Sequence, residues 1–144
     1  MPRASHFGTM AAMADHTIVN LKAGVEDMAP RFGFSPGLES RFARGALGLQ
    51  KSGVTYFKVA PDFKTPFGHR HAEQEEVYVV VSGSIRVKLD DETVELGEWD
   101  AIRVPGPVAR SIQGGPEGAE LIAYGAPRGE QSDAEMIPDF WQGS

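Results

Sequence analysis

The sequence contains no cysteine, so the chain has no disulfide bond and no thiolate that could act as a nucleophile or metal ligand. An absence of disulfides is typical of the reducing cytoplasm, and we predict a cytoplasmic protein. Long apolar runs are missing as well. No segment approaches the roughly 20 apolar residues that a membrane-spanning helix needs, and we predict no membrane partner.

Positive charge is scarce and scattered. The chain has 14 lysines and arginines against 20 aspartates and glutamates, which gives a formal net charge of -6. The basic residues form no run anywhere in the sequence. Binding to phosphate backbones needs a basic face, so nucleic acid is excluded as a predicted partner.

Turn-forming residues are abundant, with 17 glycines and 10 prolines among 144 residues. Segments rich in β-branched and aromatic residues alternate with these turns, and no segment shows sustained helical periodicity. A chain of this length most simply forms one domain. The pattern predicts about eight to ten short strands in an all-β sandwich or barrel with few or no helices.

Three regions follow from the distribution of this pattern. Residues 1–16 carry no periodic signal and are predicted to form a disordered leader. Residues 17–126 contain the strand-like segments and are predicted to form the barrel. Residues 127–144 mix charge, proline and late aromatics, and we expect Phe140 and Trp141 to pack this tail on the barrel or on a partner.

Several strand boundaries are predicted from local composition. An edge strand is expected at "TIVNL" (17–21), and "SRFARGALGL" (40–49) reads as a further strand. The strongest strand is "EEVYVVV" (75–81). The glycine-rich segments "SGS" (82–84) and "GGPEG" (114–118) are expected to be turns that end strands.

Two histidines and one glutamate are placed to meet on one face. Successive side chains of a strand point to opposite faces, so His69 and His71 point the same way and Arg70 points the other way. Glu76 begins the next strand after a short turn. If the chain doubles back there, Glu76 faces the two histidines.

Two imidazoles and one carboxylate form a facial triad that leaves open coordination positions on a metal ion. We therefore predict that His69, His71 and Glu76 bind a divalent metal. An isolated His-x-His pair beside acidic residues is more often solvated and idle. The glutamate and the valine-rich strand that follow the pair favour the metal site.

The segment "HRHAEQEEVYVVVSG" resembles the first motif of the cupin superfamily, in which His-x-His is followed by a glutamate and then a glycine. In this chain these residues are His69, His71, Glu76 and Gly83. The glycine that the family often has six positions before the first histidine is replaced by Phe63.

The segment "GEWDAIRVPGPVAR" resembles the second cupin motif, so the resemblance covers roughly residues 52–125. It implies a small jelly-roll barrel, or double-stranded β-helix, that is often dimeric and holds a metal or ligand inside. The expected metal is Fe, Zn, Mn or Ni. The chain also resembles small single-domain bacterial cupins without an assigned activity, and cupins include enzymes as well as binding modules, so whether this chain is an enzyme stays open.

The second motif departs from the family at its last ligand. The resemblance places the family's fourth metal ligand, a histidine, at Arg110, whose guanidinium has no lone pair to offer a metal. Strand parity puts Val108, Arg110 and Ile112 on one face. With two apolar neighbours on that face, Arg110 is predicted to point into the barrel and to need a counter-charge.

Two arrangements would provide Arg110 with a counter-charge. In the first, a metal sits on the two histidines and Glu76, and Arg110 binds a small anionic molecule beside it. In the second, no metal binds, Arg110 pairs with Glu76, and the histidines bind a ligand by hydrogen bonds. We favour the first because both histidines and the glutamate are retained. Tyr78 shares the face of Glu76 and is a candidate ligand-binding hydroxyl, although a core role is as plausible.

Both faces of the valine-rich strand are apolar, whereas an exposed face would normally be polar. The outer face is therefore expected to be covered by a second sheet, the amino-terminal segment or another subunit, and we predict a homodimer. The functions in competition are a metal-dependent oxygenase or isomerase and a non-catalytic binding module for a small anion.

Overall fold

The computed structural model describes residues 14–142 of the chain. This part forms eight strands and two single-turn helices, and none of its helices is long and apolar enough to cross a bilayer. The elements are α1 (Ala29–Phe32), β1 (Leu38–Phe42), α2 (Arg44–Leu47), β2 (Gly53–Val59), β3 (Phe67–His71), β4 (Glu75–Leu89), β5 (Glu92–Leu96), β6 (Ala101–Val104), β7 (Arg110–Ala126) and β8 (Ala134–Pro138).

The two longest strands, β4 and β7, run antiparallel along their whole length and belong to both halves of the barrel. One half has the strand order β1-β2-β7-β4-β6, and the other has β8-β3-β7-β4-β5. The curled sheet that results is the predicted all-β jelly-roll barrel. The sequence pattern identified this class because its strands are short, turn-rich and non-helical.

Glycines bend β4 and β7 where they pass from one half to the other. Gly83 and Gly118 both have φ of 75°, a region that side chains other than glycine rarely adopt. A Cβ on Gly83 would lie 2.0 Å from the carbonyl oxygen of Gly118. The prediction that 82–84 and 114–118 end strands is therefore wrong, because the ladder continues through the bend with register shifts on both sides of Ser82–Gly83.

The first part of the described chain also differs from the prediction. Residues 17–21 form no strand and are mostly exposed, because no neighbouring strand pairs with them. Within 40–49 the strand β1 ends at Phe42, and α2 follows it with Gly48 in the left-handed conformation as its cap. Most of the predicted leader, residues 1–13, lies outside the described part.

The core lies between the two halves of the barrel. Val80, Ile85 and Val87 of β4 and Leu121 of β7 are at most 1% exposed, and inward-facing residues alternate with outward-facing ones as strand geometry requires. At the open edge, β8 pairs along β3 in register His71 to Ala134. The segment after 127 thus forms an outer strand of the barrel.

The outer face of the valine-rich strand is half-buried rather than covered. Val77, Val79 and Val81 keep intermediate exposure, and Tyr124, which pairs with Val77, is 47% exposed. The homodimer stays a prediction, which multi-angle light scattering tests: we expect twice the chain mass of 15.6 kDa. A single-chain mass that does not change with concentration would contradict it.

A partly exposed carboxylate, that of Glu120, ties the first loop to the barrel, and its contacts predict a pH dependence of stability. Glu120 accepts hydrogen bonds from Tyr56 at 2.7 Å and from Ser82 at 3.1 Å, and lies 2.9 Å from Lys22. The hydrogen bond from Lys22, followed by that from Tyr56, lowers the pKa of Glu120 to about 2. Its stabilising effect is therefore complete above pH 4.5 and is lost as the pH falls toward 2.

We expect Glu120→Gln to cost about 1 kcal/mol of unfolding free energy at pH 7, allowing for solvent screening, and progressively less below pH 4.5. Urea unfolding at pH 7 and pH 3 measures this difference. Glu117→Gln, an exposed change on the same strand, should be close to neutral at both pH values. If Glu120→Gln lowered the unfolding free energy equally at pH 7 and pH 3, the charge of Glu120 would not be the source of the stabilisation.

Candidate metal and anion site

Three strands bring the predicted site residues together inside the barrel. His69 and His71 lie on β3, Glu76 is near the start of β4, and Arg110 begins β7, where it pairs directly with His69. On β3, His71 is buried and Arg70 is exposed, as the alternation of a strand requires. The turn between β3 and β4 returns the chain so that Glu76 faces both histidines.

The ligand atoms of the three candidate metal ligands converge. The Nε2 atoms of His69 and His71 lie 3.3 Å and 3.7 Å from Oε1 of Glu76. All three ligand atoms lie within 4.8 Å of one another, and the two imidazole rings are nearly perpendicular with centroids 5.0 Å apart. One ion can therefore be reached by two nitrogens and one oxygen.

The Nε2 atom of His71 is the clearest sign that a group is expected here. It is buried and has no hydrogen-bond partner in the described part of the chain, whereas buried polar atoms are nearly always bonded. A metal ion at the convergence point would satisfy it. Two imidazoles and one carboxylate suit Fe, Zn, Mn or Ni, so the residues present fit the expected divalent ion.

Asp133 bonds the ring nitrogen of His71 that points away from the site, a contact that the sequence analysis did not predict. Its Oδ1 lies 2.7 Å from Nδ1 of His71, and its Oδ2 accepts hydrogen bonds from the backbone N–H of Glu73 at 2.7 Å and of Gln74 at 3.1 Å. Burial raises the pKa of Asp133, but the two backbone bonds and His71 outweigh it, so this pKa lies well below its usual value.

Since the ionised carboxylate of Asp133 can only accept, Nδ1 of His71 must carry the proton and donate it. The lone pair of His71 is then on Nε2, which points at the site. Asp133 reaches this position because β8 pairs with β3, 62 residues away in sequence from His71. The only local signal was the short alternating segment "AEMIP" next to it, which is typical of a strand but says nothing about its partner.

Glu76 is ionised and shared between several donors. Burial raises its pKa, but the hydrogen bond and charge of His69, together with the charges of Arg110 and His71, keep the pKa below its ordinary value. Tyr78 donates its hydroxyl to Oε1 of Glu76 at 2.9 Å and is only 2% exposed. Burial first, and then the charge of Glu76, raise the pKa of Tyr78 well above its usual value, so Tyr78 stays a protonated donor.

Arg110 lies inside the barrel and is 0% exposed. Its Nη2 donates to the carbonyl oxygens of Pro105 at 3.0 Å and Val104 at 3.3 Å, which hold the guanidinium in place. Its Nε is 3.8 Å from Oε1 of Glu76. Within residues 14–142, neither Nε nor Nη1 has a hydrogen-bond partner, so two buried donors remain available for an anion.

The side chains of His69, His71, Glu76, Tyr78 and Arg110 open onto one cavity of about 670 Å³. Several phenylalanine side chains line the same cavity. Gln74 also lines this cavity, is 5% exposed, and has a buried Oε1 without a partner in the described part. Sequence reasoning missed Gln74, because it read the segment before the strand as a solvated turn.

Comparison with known proteins agrees with this architecture. The family model of the cupin domain matches residues 55–113. No curated protein sequence is significantly similar to the chain. Many solved structures share the fold at low sequence identity, which supports the fold alone.

Three of these structures illustrate the range. A cupin protein from Bacteroides fragilis superposes with a TM-score of 0.65 and 19% identity, covering 83% of this chain and 91% of that one. KdgF from Halomonas sp. superposes with a TM-score of 0.63 and 17% identity, covering 81% of this chain and 97% of that one. The Streptomyces protein Pac13, a nucleoside dehydratase, superposes with a TM-score of 0.59 and 20% identity, covering 71% of this chain and 79% of that one.

The residues matched by the family model include His69, His71, Glu76 and Arg110. All four lie on strands of the eight-stranded barrel. Motif, fold and structural neighbours agree with one another. Residues 55–113 of the chain thus match a cupin domain, and the solved structures that share its fold include a cupin protein.

Proposed function

We propose that the protein binds one divalent metal ion through His69, His71 and Glu76 and acts on a small anionic molecule held by Arg110, as a metal-dependent oxygenase or isomerase. The observation that carries this proposal is the buried, unpartnered Nε2 of His71, which lies among three converging ligand atoms. The carboxylate of Asp133 supports it by keeping that nitrogen unprotonated.

The charges of the site favour an anionic substrate. With neutral histidines, a divalent ion, Arg110, Glu76 and Asp133 together leave one net positive charge in a region shielded from water. A carboxylate would neutralise it and accept a charge-assisted hydrogen bond from one of the free donors of Arg110, Nε or Nη1. Because Val104 and Pro105 already hold Nη2, little side-chain entropy is lost on binding.

When bound, the metal would supply either a position for O₂ beside the substrate or a Lewis acid that polarises a carbonyl. The protein supplies the rest. Arg110 orients the substrate, and the protonated hydroxyl of Tyr78 donates a hydrogen bond to Oε1 of Glu76, which holds that carboxylate in place. The barrel wall limits access of water, which strengthens each of these electrostatic contacts.

The second candidate is a metal-free, non-catalytic binding protein in which Arg110 pairs with Glu76. Their separation of 3.8 Å favours it, and a metal would compete for the same oxygen. However, this contact is not a hydrogen bond, because Nε of Arg110 has no such partner in the part of the chain that the structure describes. The pair therefore leaves Glu76 available to a metal.

Metal content decides between the two candidates. Protein made without a polyhistidine tag, after growth with added iron, zinc, manganese and nickel, should contain close to one equivalent of metal per chain. His71→Asn should lose it, whereas His16→Asn, a change at an exposed position, should retain it. Less than about a tenth of an equivalent in the unmodified protein would overturn the metal proposal.

Replacing Arg110 by histidine tests whether this side chain adjoins the ion. The change would add a fourth ligand, the third nitrogen, and remove a positive charge, and we expect metal affinity to rise at least about tenfold, or about 1.4 kcal/mol. Competition with a chromophoric chelator measures it. Arg110→Met, which removes the charge without adding a ligand, separates the two effects. Unchanged affinity in Arg110→His would show that Arg110 is not beside the ion.

A further inference from the structure

The site proposed above occupies only part of the cavity. A carboxylate, together with the ion, fills a space on the order of 100 Å³ if a water molecule takes about 30 Å³. The cavity measures about 670 Å³, which lies within the range of pockets for larger metabolites. A small acid alone would leave most of it empty.

Two pairs of phenylalanine side chains also line the cavity. Phe34 and Phe67 lie with ring centroids 5.3 Å apart, and Phe42 and Phe57 meet edge to face at 6.2 Å. Leu38 of β1 completes this wall. Such a surface binds an apolar body by the hydrophobic effect and offers no partner to a polar one.

A second arginine lines the same cavity, two residues beyond Phe42 of β1. Arg44, at the start of α2, lines the cavity, and its Nε is buried without a hydrogen-bond partner in the described part of the chain. Sequence reasoning did not single out Arg44, because it read that segment as a strand. A buried donor without a partner is costly, so a ligand atom is expected there.

The strand ladder limits the distance between Arg44 and the proposed site. Phe42 of β1 pairs with Thr55, Thr55 pairs with Ala123, and Ala123 pairs with Tyr78 of β4. Three strand spacings amount to at most about 14 Å between the backbones of β1 and β4. Arg44 follows Phe42 by two residues, so one molecule can span from Arg44 to the site at Glu76 and Arg110.

From these observations we infer the ligand class. The ligand is an elongated small molecule with an apolar middle and an anionic group at each end. One anion binds Arg110 beside the metal, the apolar middle lies among the phenylalanines, and the second anion binds Arg44. The inner end of this inference rests on the proposed function, whereas the apolar middle and the outer end are additional.

A series of simple acids tests the inference with purified protein loaded with metal. The probes are straight-chain dicarboxylates from succinate to sebacate, each compared by calorimetry with the monocarboxylate of equal carbon number. We expect affinity to peak at an intermediate length near suberate. At that length the dicarboxylate should bind at least about tenfold more tightly than octanoate, the contribution of one charge-assisted contact.

Arg44→Gln should abolish the preference for suberate and leave octanoate binding unchanged. Arg103→Gln is the matched control, because the side chain of Arg103 is 64% exposed and pairs with Glu75 outside the cavity. This change should alter neither the preference for suberate nor the binding of octanoate. Circular dichroism and the melting temperature show whether each variant is folded. No preference for suberate in the unmodified protein, or a preference that survives Arg44→Gln, would overturn the inference.

The two proposals fail separately. If octanoate binding is lost in Arg110→Met but suberate is not preferred, only the outer anion site is wrong. If Arg44→Gln abolishes the preference for suberate but Arg110→Met leaves the affinity for both acids unchanged, the proposed site at Arg110 is wrong. Absence of binding by every acid in the series would overturn both.

Discussion

Replacing Glu76 by glutamine is expected to lower the free energy of unfolding of the metal-free protein by about 3 kcal/mol, because it leaves the buried charge of Arg110 without a counter-charge. Arg110 is 0% exposed and its Nε faces Oε1 of Glu76 at 3.8 Å. Glutamine keeps the shape of the side chain but not its charge. For a domain of this size, the melting temperature should fall by about 10 °C.

The same substitution removes a metal ligand, so metal affinity should fall by more than about a hundredfold. Added metal should then raise the melting temperature of the unmodified protein but not that of Glu76→Gln. Differential scanning calorimetry with and without metal measures both effects.

Glu75→Gln is the matched control for this experiment. Glu75 is the preceding residue, its side chain is 60% exposed, and its contact with Arg103 is 3.8 Å long. This change should alter stability by less than about 0.5 kcal/mol. If Glu76→Gln were as mild as Glu75→Gln, then Arg110 would not depend on Glu76 for its charge balance.

The second large effect is expected from Asp133→Asn, which should weaken metal binding by about 10- to 100-fold. An asparagine has one acceptor oxygen, but Asp133 accepts from Nδ1 of His71 with one oxygen and from two backbone N–H groups with the other. If the amide oxygen keeps the backbone bonds, the NH₂ group faces His71 and forces its proton onto Nε2. A protonated Nε2 cannot bind a metal.

The nitrogen chemical shifts of His71 distinguish this positioning role from a loss of structure. In the unmodified metal-free protein the proton should be on Nδ1, and in Asp133→Asn it should move to Nε2. Glu135→Gln is the control, because Glu135 lies two residues beyond Asp133, on β8, but bonds Arg70 on the outer surface. An unchanged tautomer with unchanged metal affinity in Asp133→Asn would contradict the role of Asp133.

The tail that carries Asp133 is attached to the barrel at further points. Trp141 donates its Nε1–H to the hydroxyl of Ser111 at 3.0 Å, and the ring of Phe140 covers Gly68, where a Cβ would lie 2.6 Å from it. Lys88 donates to the carbonyl oxygen of Phe140 at 2.6 Å. These contacts keep β8 beside β3, so the position of Asp133 depends on the barrel as a whole.

The sequence by itself determined the all-β class and the direction in which the candidate ligands point. Both follow from local rules: a strand repeats every two residues, so His69 and His71 share one face of their strand, and Glu76 and Tyr78 share one face of the valine-rich strand. The absence of a ligand histidine at Arg110 was equally visible, because it concerns the identity of one residue.

Only the tertiary structure decided which distant groups meet these residues. Asp133 reaches His71 through the pairing of β8 with β3, and Arg44 reaches the cavity because β1 ends at Phe42 and a helical turn follows. Likewise, the segments around Gly83 and Gly118 look like chain reversals locally, but pairing of β4 with β7 carries both strands through the bend. The physical reason is that periodicity sets which face a side chain takes, whereas long-range strand pairing selects its partners.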